Sequence, residues 1–289
     1  MSGEMAKNKA YSNNEKLSKK QFVSTYGSLI GLILLIIIIT VLRPRFISPA
    51  NLRNVFRNAS INGLLAIGMT FVVLTGGIDL SVGAIMGCAG MYSAYFAQSV
   101  KGYPAIVAIL IGLLVGLVFG VFNGFCIAYL KVPAFVGTLG ALSIADSLKF
   151  LLTDAKPIPN LSDSFKTIGG GSFGFIPIPC VIMAVVLIIC FTLLYKTRYG
   201  RYIYAVGGNR NAAHVSGINT KRIICSVYIL TGVLSALAGV IMTARVTSGV
   251  TSTGDGYETD AIAAVVIGGT SMSGGVGTVG GTFIGILII

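Results

Sequence analysis

Long apolar runs separated by short polar segments set the pattern of this chain. The first, Tyr26 to Leu42 (YGSLIGLILLIIIITVL), would reach about 26 Å as a helix, near the thickness of a bilayer's hydrocarbon core. Others follow at about 61–75, 82–98, 104–130, 133–152, 177–195, 222–244 and 258–289. The last is interrupted by GGTSMSGGVG and reads as two helices, so the pattern predicts roughly nine membrane spans. Residues 1–25 are polar, with Lys7, Lys9, Lys16, Lys19 and Lys20, and are expected to form a cytoplasmic tail ahead of one transmembrane domain over 26–289. No small-residue cleavage site follows the first run, which predicts a retained span. The chain stops at Ile289 inside an apolar run, so a truncated helix and at least one further span are expected there.

Lysine and arginine set the orientation. Segment 196–222, KTRYGRYIYAVGGNRNAAHVSGINTKR, holds six Lys/Arg and no acid, and is expected on the cytoplasmic side. Counting spans back from it places 153–176 outside, Lys131 inside and the N-terminal tail inside. One segment dissents: 43–58 carries Arg43, Arg45, Arg53 and Arg57, yet the count puts it outside. An amphipathic helix lying on the membrane surface would accommodate it.

Composition narrows the class. The chain is 54% hydrophobic and 10% charged, too few charges to cover a soluble fold of this length. A net charge of +12 raises nucleic acid as a partner, but the basic residues sit in the short segments between apolar runs, and none is expected. Cys88, Cys126, Cys180, Cys190 and Cys225 all fall inside apolar runs without metal-ligand spacing, and read as packing residues. No metal and no cofactor are expected. Gly275-Val-Gly277-Thr-Val-Gly280 matches a dinucleotide fingerprint in letters but has no βαβ context, and the chain contains no G-x-x-x-x-G-K-[ST]. His214, the one histidine, has no nucleophile placed beside it. No catalytic residues are assigned.

Three constellations carry candidate chemistry. In TGGIDLS, Gly76-Gly77 is a natural helix break and Asp79 a full charge in an apolar stretch. Two roles fit Asp79: a group facing a cavity or translocation pathway together with Ser81, or a cap for the helix beginning at Leu80-Ser81-Val82. In GDGYETDAIAAVVIGGTSMSGG (254–275), Asp255, Glu258 and Asp260 precede an apolar run that breaks at Gly268-Gly269 and Gly274-Gly275. These acids suit either a helix start or an outer mouth contacting a partner or a hydroxyl-rich solute. Asp146 and Lys149 are further charges within an apolar run. In AVGGNRNAAHVSGIN, a short helix is expected over 211–215, with Gly207-Gly208 as a loose entry and Gly217 as its stop, either an ordinary loop helix or one that docks into another protein. Separately, Gly112, Gly116, Gly120 and Gly124 recur every fourth residue, one face on which helices approach closely. That face suits tight packing or a sliding seam.

These motifs carry a resemblance. TGGIDLSVG (75–83), KTRYGRYIYAVGGNRNAAHVSGIN (196–219) and GYETDAIAAVVIGGTSMSGGVGTVGGTFIG (256–285) resemble the permease subunits of bacterial ABC importers for monosaccharides, of the ribose and galactose type. The resemblance runs from about residue 26 to the end. It implies an all-α polytopic membrane protein, a helical bundle of the vitamin B12 permease type with ten spans, working as a homodimer in the cytoplasmic membrane. It implies separate ATPase subunits below, an extracytoplasmic sugar-binding protein above, and no enzymatic activity in this chain. On it, 205–217 is the coupling helix, with Gly207, Gly208, Asn209, Asn211, Ala212, Ala213 and Gly217 at the motif positions. Asp79 and Ser81 match the signature after the second span, and Glu258 and Asp260 the late acidic motif; with Gly76 and Gly77 they are the residues expected at the translocation pathway or its gate. An ion-coupled secondary transporter with Asp79 as its ion site is the competing expectation, and it predicts uptake independent of an ATPase. An intramembrane enzyme is a third, and it predicts turnover by the purified chain alone.

Overall fold

A computed structural model describes residues 27–289; the polar tail expected over 1–25 lies outside the described residues. Every apolar run in the described part holds a helix. They are α1 (Gly27–Leu42), α2 (Pro49–Leu74), α3 (Val82–Ala97), α4 (Ala105–Ala128), α5 (Ala134–Leu151), α7 (Ile178–Lys196), α10 (Thr220–Val246), α11 (Tyr257–Ile267) and α12 (Val279–Ile288). Five of these, α2, α4, α5, α7 and α10, are long and apolar enough to cross a bilayer, and the protein is a multi-pass all-α membrane protein. Between them lie the short α6 (Asp163–Gly170), α8 (Arg198–Gly208) and α9 (Arg210–Val215). A small hairpin, β1 (Ser172–Phe173) with β2 (Ile176–Pro177), is the one strand pair among the described residues. Sequence patterning gave no sign of it.

The centre is built from α2, α3, α4 and α10. Helix α2 buries almost every residue from Ala59 to Leu74. By contrast α4, α5 and α7 leave large aliphatic side chains exposed, such as Leu114, Ile144 and Ile188, as helices do when their outer face meets lipid. The glycine row of α4 lies against α10. A Cβ at Gly116 would overlap the Gly232 carbonyl, and one at Gly124 would stand 2.7 Å from the Cys225 carbonyl oxygen. Small residues here let two backbones meet where side chains would hold them apart.

The arginine-bearing segment 43–58 is not a separate surface helix. A 3-10 turn at Pro44–Ile47 leads to Ser48, whose hydroxyl caps the Asn51 amide, and α2 then runs unbroken from Pro49. Pro49 at the first helical position and the Ser48 cap fix this start eleven or so residues before the apolar run begins. The arginines are used locally: Arg57 Nη2 donates to the Gly170 carbonyl at 3.1 Å, and the Arg53 guanidinium stacks over Phe175.

The bundle has two distinct ends. At one, the 43–58 segment, the 98–104 connection, residues 153–177 and the start of the α10–α11 connection meet. Gln98 bridges Leu161, Ile158 bridges Gly249, and Arg245 donates to Asn58 Oδ1. At the other, the C-terminus of α2, the Lys131 turn, α8–α9 and the 268–278 loop converge. Segment 43–58 thus lies at the end opposite the basic segment 196–222, where the span count puts it.

Candidate functional site

At the basic end three glycine pairs that lie far apart in sequence come together. Helix α2 stops at Leu74, and Gly76 takes φ +75, a conformation that costs glycine little. The freed Leu74 carbonyl accepts from Gly275 N at 2.9 Å. Gly207 packs on the same spot: a Cβ there would overlap the Leu74 oxygen and press on Gly275 N. A Cβ at Gly274 would lie 2.9 Å from both Gly207 O and Gly76 N. The junction is therefore backbone on backbone. Two tyrosines fasten its edges. Tyr204 Oη donates to Gly277 O at 2.7 Å, and Tyr228 Oη donates to Ile78 O at 3.2 Å. Burial pushes the Tyr204 phenol well above its ordinary range, so it stays protonated and remains a donor.

From this junction the short helix α9 projects. Gly207 and Gly208 are the last turn of α8, not a loose entry to α9, which corrects the sequence expectation. The turn between them is Asn209, whose Oδ1 accepts from Ala212 N at 2.9 Å and caps α9. Ala213 is buried and anchors the helix, while Asn211, Ala212 and His214 are exposed and Val215 is 88% exposed. Gly217, at φ +83, stops it, with Ile218 N donating to Ala213 O. An open cleft of about 840 Å³ runs from α9 to the α2 break, lined by Gly76, Gly77, Lys131, Arg210, Lys221 and Tyr228 among others.

Asp79 lies just inside this end and is completely buried. Its Oδ1 accepts from Ser81 N at 2.9 Å and from Ser81 Oγ. Asn123 on α4 donates from Nδ2 to Ser81 Oγ at 2.8 Å. Helix α3 begins at Val82 with Ser81 as its cap residue, so the carboxylate binds the cap residue's own amide and not the first-turn amides. The expectation of a simple helix cap is corrected to that extent. Asn123, Tyr204 and Tyr228 went unnoticed in the sequence, each a single polar group within an otherwise helix-forming stretch.

The late acids divide. Glu258 and Asp260 sit in the first turn of α11 and suit its dipole. The connection 247–256 runs back along α3: Gly249 touches Ala94, Thr253 meets Gly87, and Gly254 and Glu258 meet Gly83. Glu258 is thereby set against the first turn of α3, within the bundle. Asp255 is exposed and pairs with Lys149 at 3.1 Å; the same ammonium reaches Asp146 at 2.8 Å. Lys149 is only 1% exposed, so a sealed cation ties α5 to the α10–α11 connection. Among the described residues no group of His, Cys, Asp and Glu is arranged to hold a metal.

The family model described as "Branched-chain amino acid transport system / permease component" matches residues 51–289. The chain is 46% identical over 265 residues to the ribose import permease protein RbsC of Bacillus subtilis (strain 168), covering 91% of this chain and 82% of that one. It is 35% identical to the xylose transport system permease protein XylH of Haemophilus influenzae, over 84% of this chain and 81% of that one. It is 36% identical to the galactose/methyl galactoside import permease protein MglC of Salmonella typhimurium, over 94% and 87%. No solved structure matches. The chain belongs to this permease-component family, as a membrane-spanning transport subunit of an ABC importer and not an enzyme.

Proposed function

We propose that the protein is the permease of a bacterial importer for a monosaccharide of the ribose, xylose or galactose kind. The observation that carries this reading is the likeness to ribose, xylose and galactose permeases along nearly the whole chain. In this reading the bundle adopts the vitamin B12 permease type with ten spans and pairs with a second copy. The N-terminus and the basic end face the cytoplasm, where ATPase subunits dock on α9. A binding protein delivers sugar at the opposite end.

The geometry supports a specific coupling route. An ATPase pulling on the exposed face of α9 moves α8 with it, because the two helices join at Asn209. Gly207 transmits that movement to the α2 break and the 268–278 loop, with only main-chain atoms between them. Gly76 and Gly77 then bend, and Glu258 on α11 shifts against α3. Alternating access needs two packings close in energy, and close glycine contacts permit small sliding displacements.

Uptake of labelled ribose, xylose and galactose in a strain lacking this gene tests the substrate. Restoration by the gene for at least one sugar is expected, and no restoration for any of them defeats the reading. In the same strain Gly207→Val should abolish uptake, while the sugar affinity of the soluble binding protein stays unchanged. Wild-type uptake by that variant removes the coupling route.

A further inference from the structure

The node formed by Asp79, Ser81 and Asn123 has a hydrogen-bond count that does not close. All three side chains are fully buried. Ser81 has one hydroxyl hydrogen, and its short contact commits that hydrogen to Asp79 Oδ1. Ser81 Oγ is then an acceptor, which fixes Asn123 with its Nδ2 toward it. Two oxygens are left without partners, Asp79 Oδ2 and Asn123 Oδ1. Both are acceptors if Asp79 is ionised, and the one donor left in the node, the second Asn123 Nδ2 hydrogen, makes no hydrogen bond to Asp79 Oδ2.

No countercharge relieves this. Among the described residues no Lys, Arg or His lies within 4.0 Å of Asp79. The groups facing it from each packed element are neutral: Ser81 on its own loop, Asn123 on α4 and Tyr228 on α10. Tyr228 spends its hydroxyl hydrogen on Ile78 O. A sealed carboxylate with an unpaired oxygen and no cation is costly. A sodium or potassium ion would require several free oxygens, and the node supplies two. A single hydrogen on Oδ2 removes the charge and supplies the donor that the two oxygens lack.

We infer that Asp79 holds a proton on Oδ2 and, as a neutral acid bonded to Asn123, locks the α2–α3 loop onto α4. The proton is structural. It is not exchanged during transport, because the node has no contact with solvent. The inference stands whichever sugar is carried.

Infrared spectroscopy of the purified full chain in lipid tests it. A carboxylic acid C=O band should be present at neutral pH, should vanish in Asp79→Asn, and should persist unshifted as the medium is made alkaline within the protein's stable range. Asn123→Leu, which removes the acceptor, should move the band to higher frequency, and it assigns the band should Asp79→Asn fail to fold. Absence of the band in the wild type overturns the inference. So does a band that Asp79→Asn retains, or one that Asn123→Leu leaves in place. A band that titrates away near neutral pH overturns the locked proton as well.

Discussion

Single polar atoms do the fastening at the basic end. Tyr204 illustrates the scale: one hydroxyl, held protonated by burial, donates to the carbonyl of Gly277 and pins a loop rich in glycine. Tyr204→Phe leaves the ring packing intact and strips that carbonyl of its partner. A loss of about 1 kcal/mol is expected, seen as a lower thermal midpoint of the purified protein in detergent. At this scale the sequence was only partly readable. Asp79 stood out as a charge among aliphatics, and its burial follows. Asn123 did not, because an asparagine in GLVFGVFNG differs from its neighbours by one polar group, and nothing local says that Ser81 lies opposite. Asp146 and Lys149 stood out as charges within one apolar run, but their pairing and the contact with Asp255 arise through folding.

Among the helices, the α4–α10 seam sets how closely the core packs. Gly116 and Gly232 meet backbone to backbone, so Gly116→Leu must push the helices apart or distort them. Overpacking of this kind costs about 1–3 kcal/mol. The expected outcome is reduced yield of folded protein and a lower thermal midpoint, whereas Gly140→Leu, at an open position on α5, should change neither. The four-residue glycine period was legible because it needs only the helical repeat. The start of α2 was not. Hydropathy sees the apolar part of that helix, while its first turns carry Arg53 and Arg57 and are fixed instead by Ser48 and Pro49. The short α9 was placed within a residue, through the helix-competent stretch 211–215 and the Gly217 stop. Its neighbour α8 was missed because two glycines at its end look like a break when tertiary contacts are unknown.

The whole molecule has two ends, and the alternation of runs, anchored by the charge of 196–222, sorted the segments between them. Alternation of runs assigned 43–58 and 153–176 to the end away from 196–222, and the contacts of Arg57 with Gly170 and Arg245 with Asn58 join that end together. Impermeant thiol labelling checks the proposed cytoplasmic position of the basic end. In a version without the five native cysteines, Val215→Cys should react only after the membrane is breached. Asp163→Cys, at an almost fully exposed position, should react in intact cells. The reverse pattern would invert the proposed orientation. Periodicity and charge thus expose the plan of the bundle. The convergence of the breaks near residues 76, 207 and 275 lies beyond them, since it joins stretches about 70 to 200 residues apart through main-chain atoms that every residue shares.

That joint has a consequence for how such a protein varies. Where two side chains touch, a change in one is answered by a change in the other, and the pair drifts together over generations. Gly207 touches Leu74 and Gly275 through main chain alone, so no neighbouring side chain is available to answer a mutation there. Such a joint can be inherited or lost, but it cannot be renegotiated.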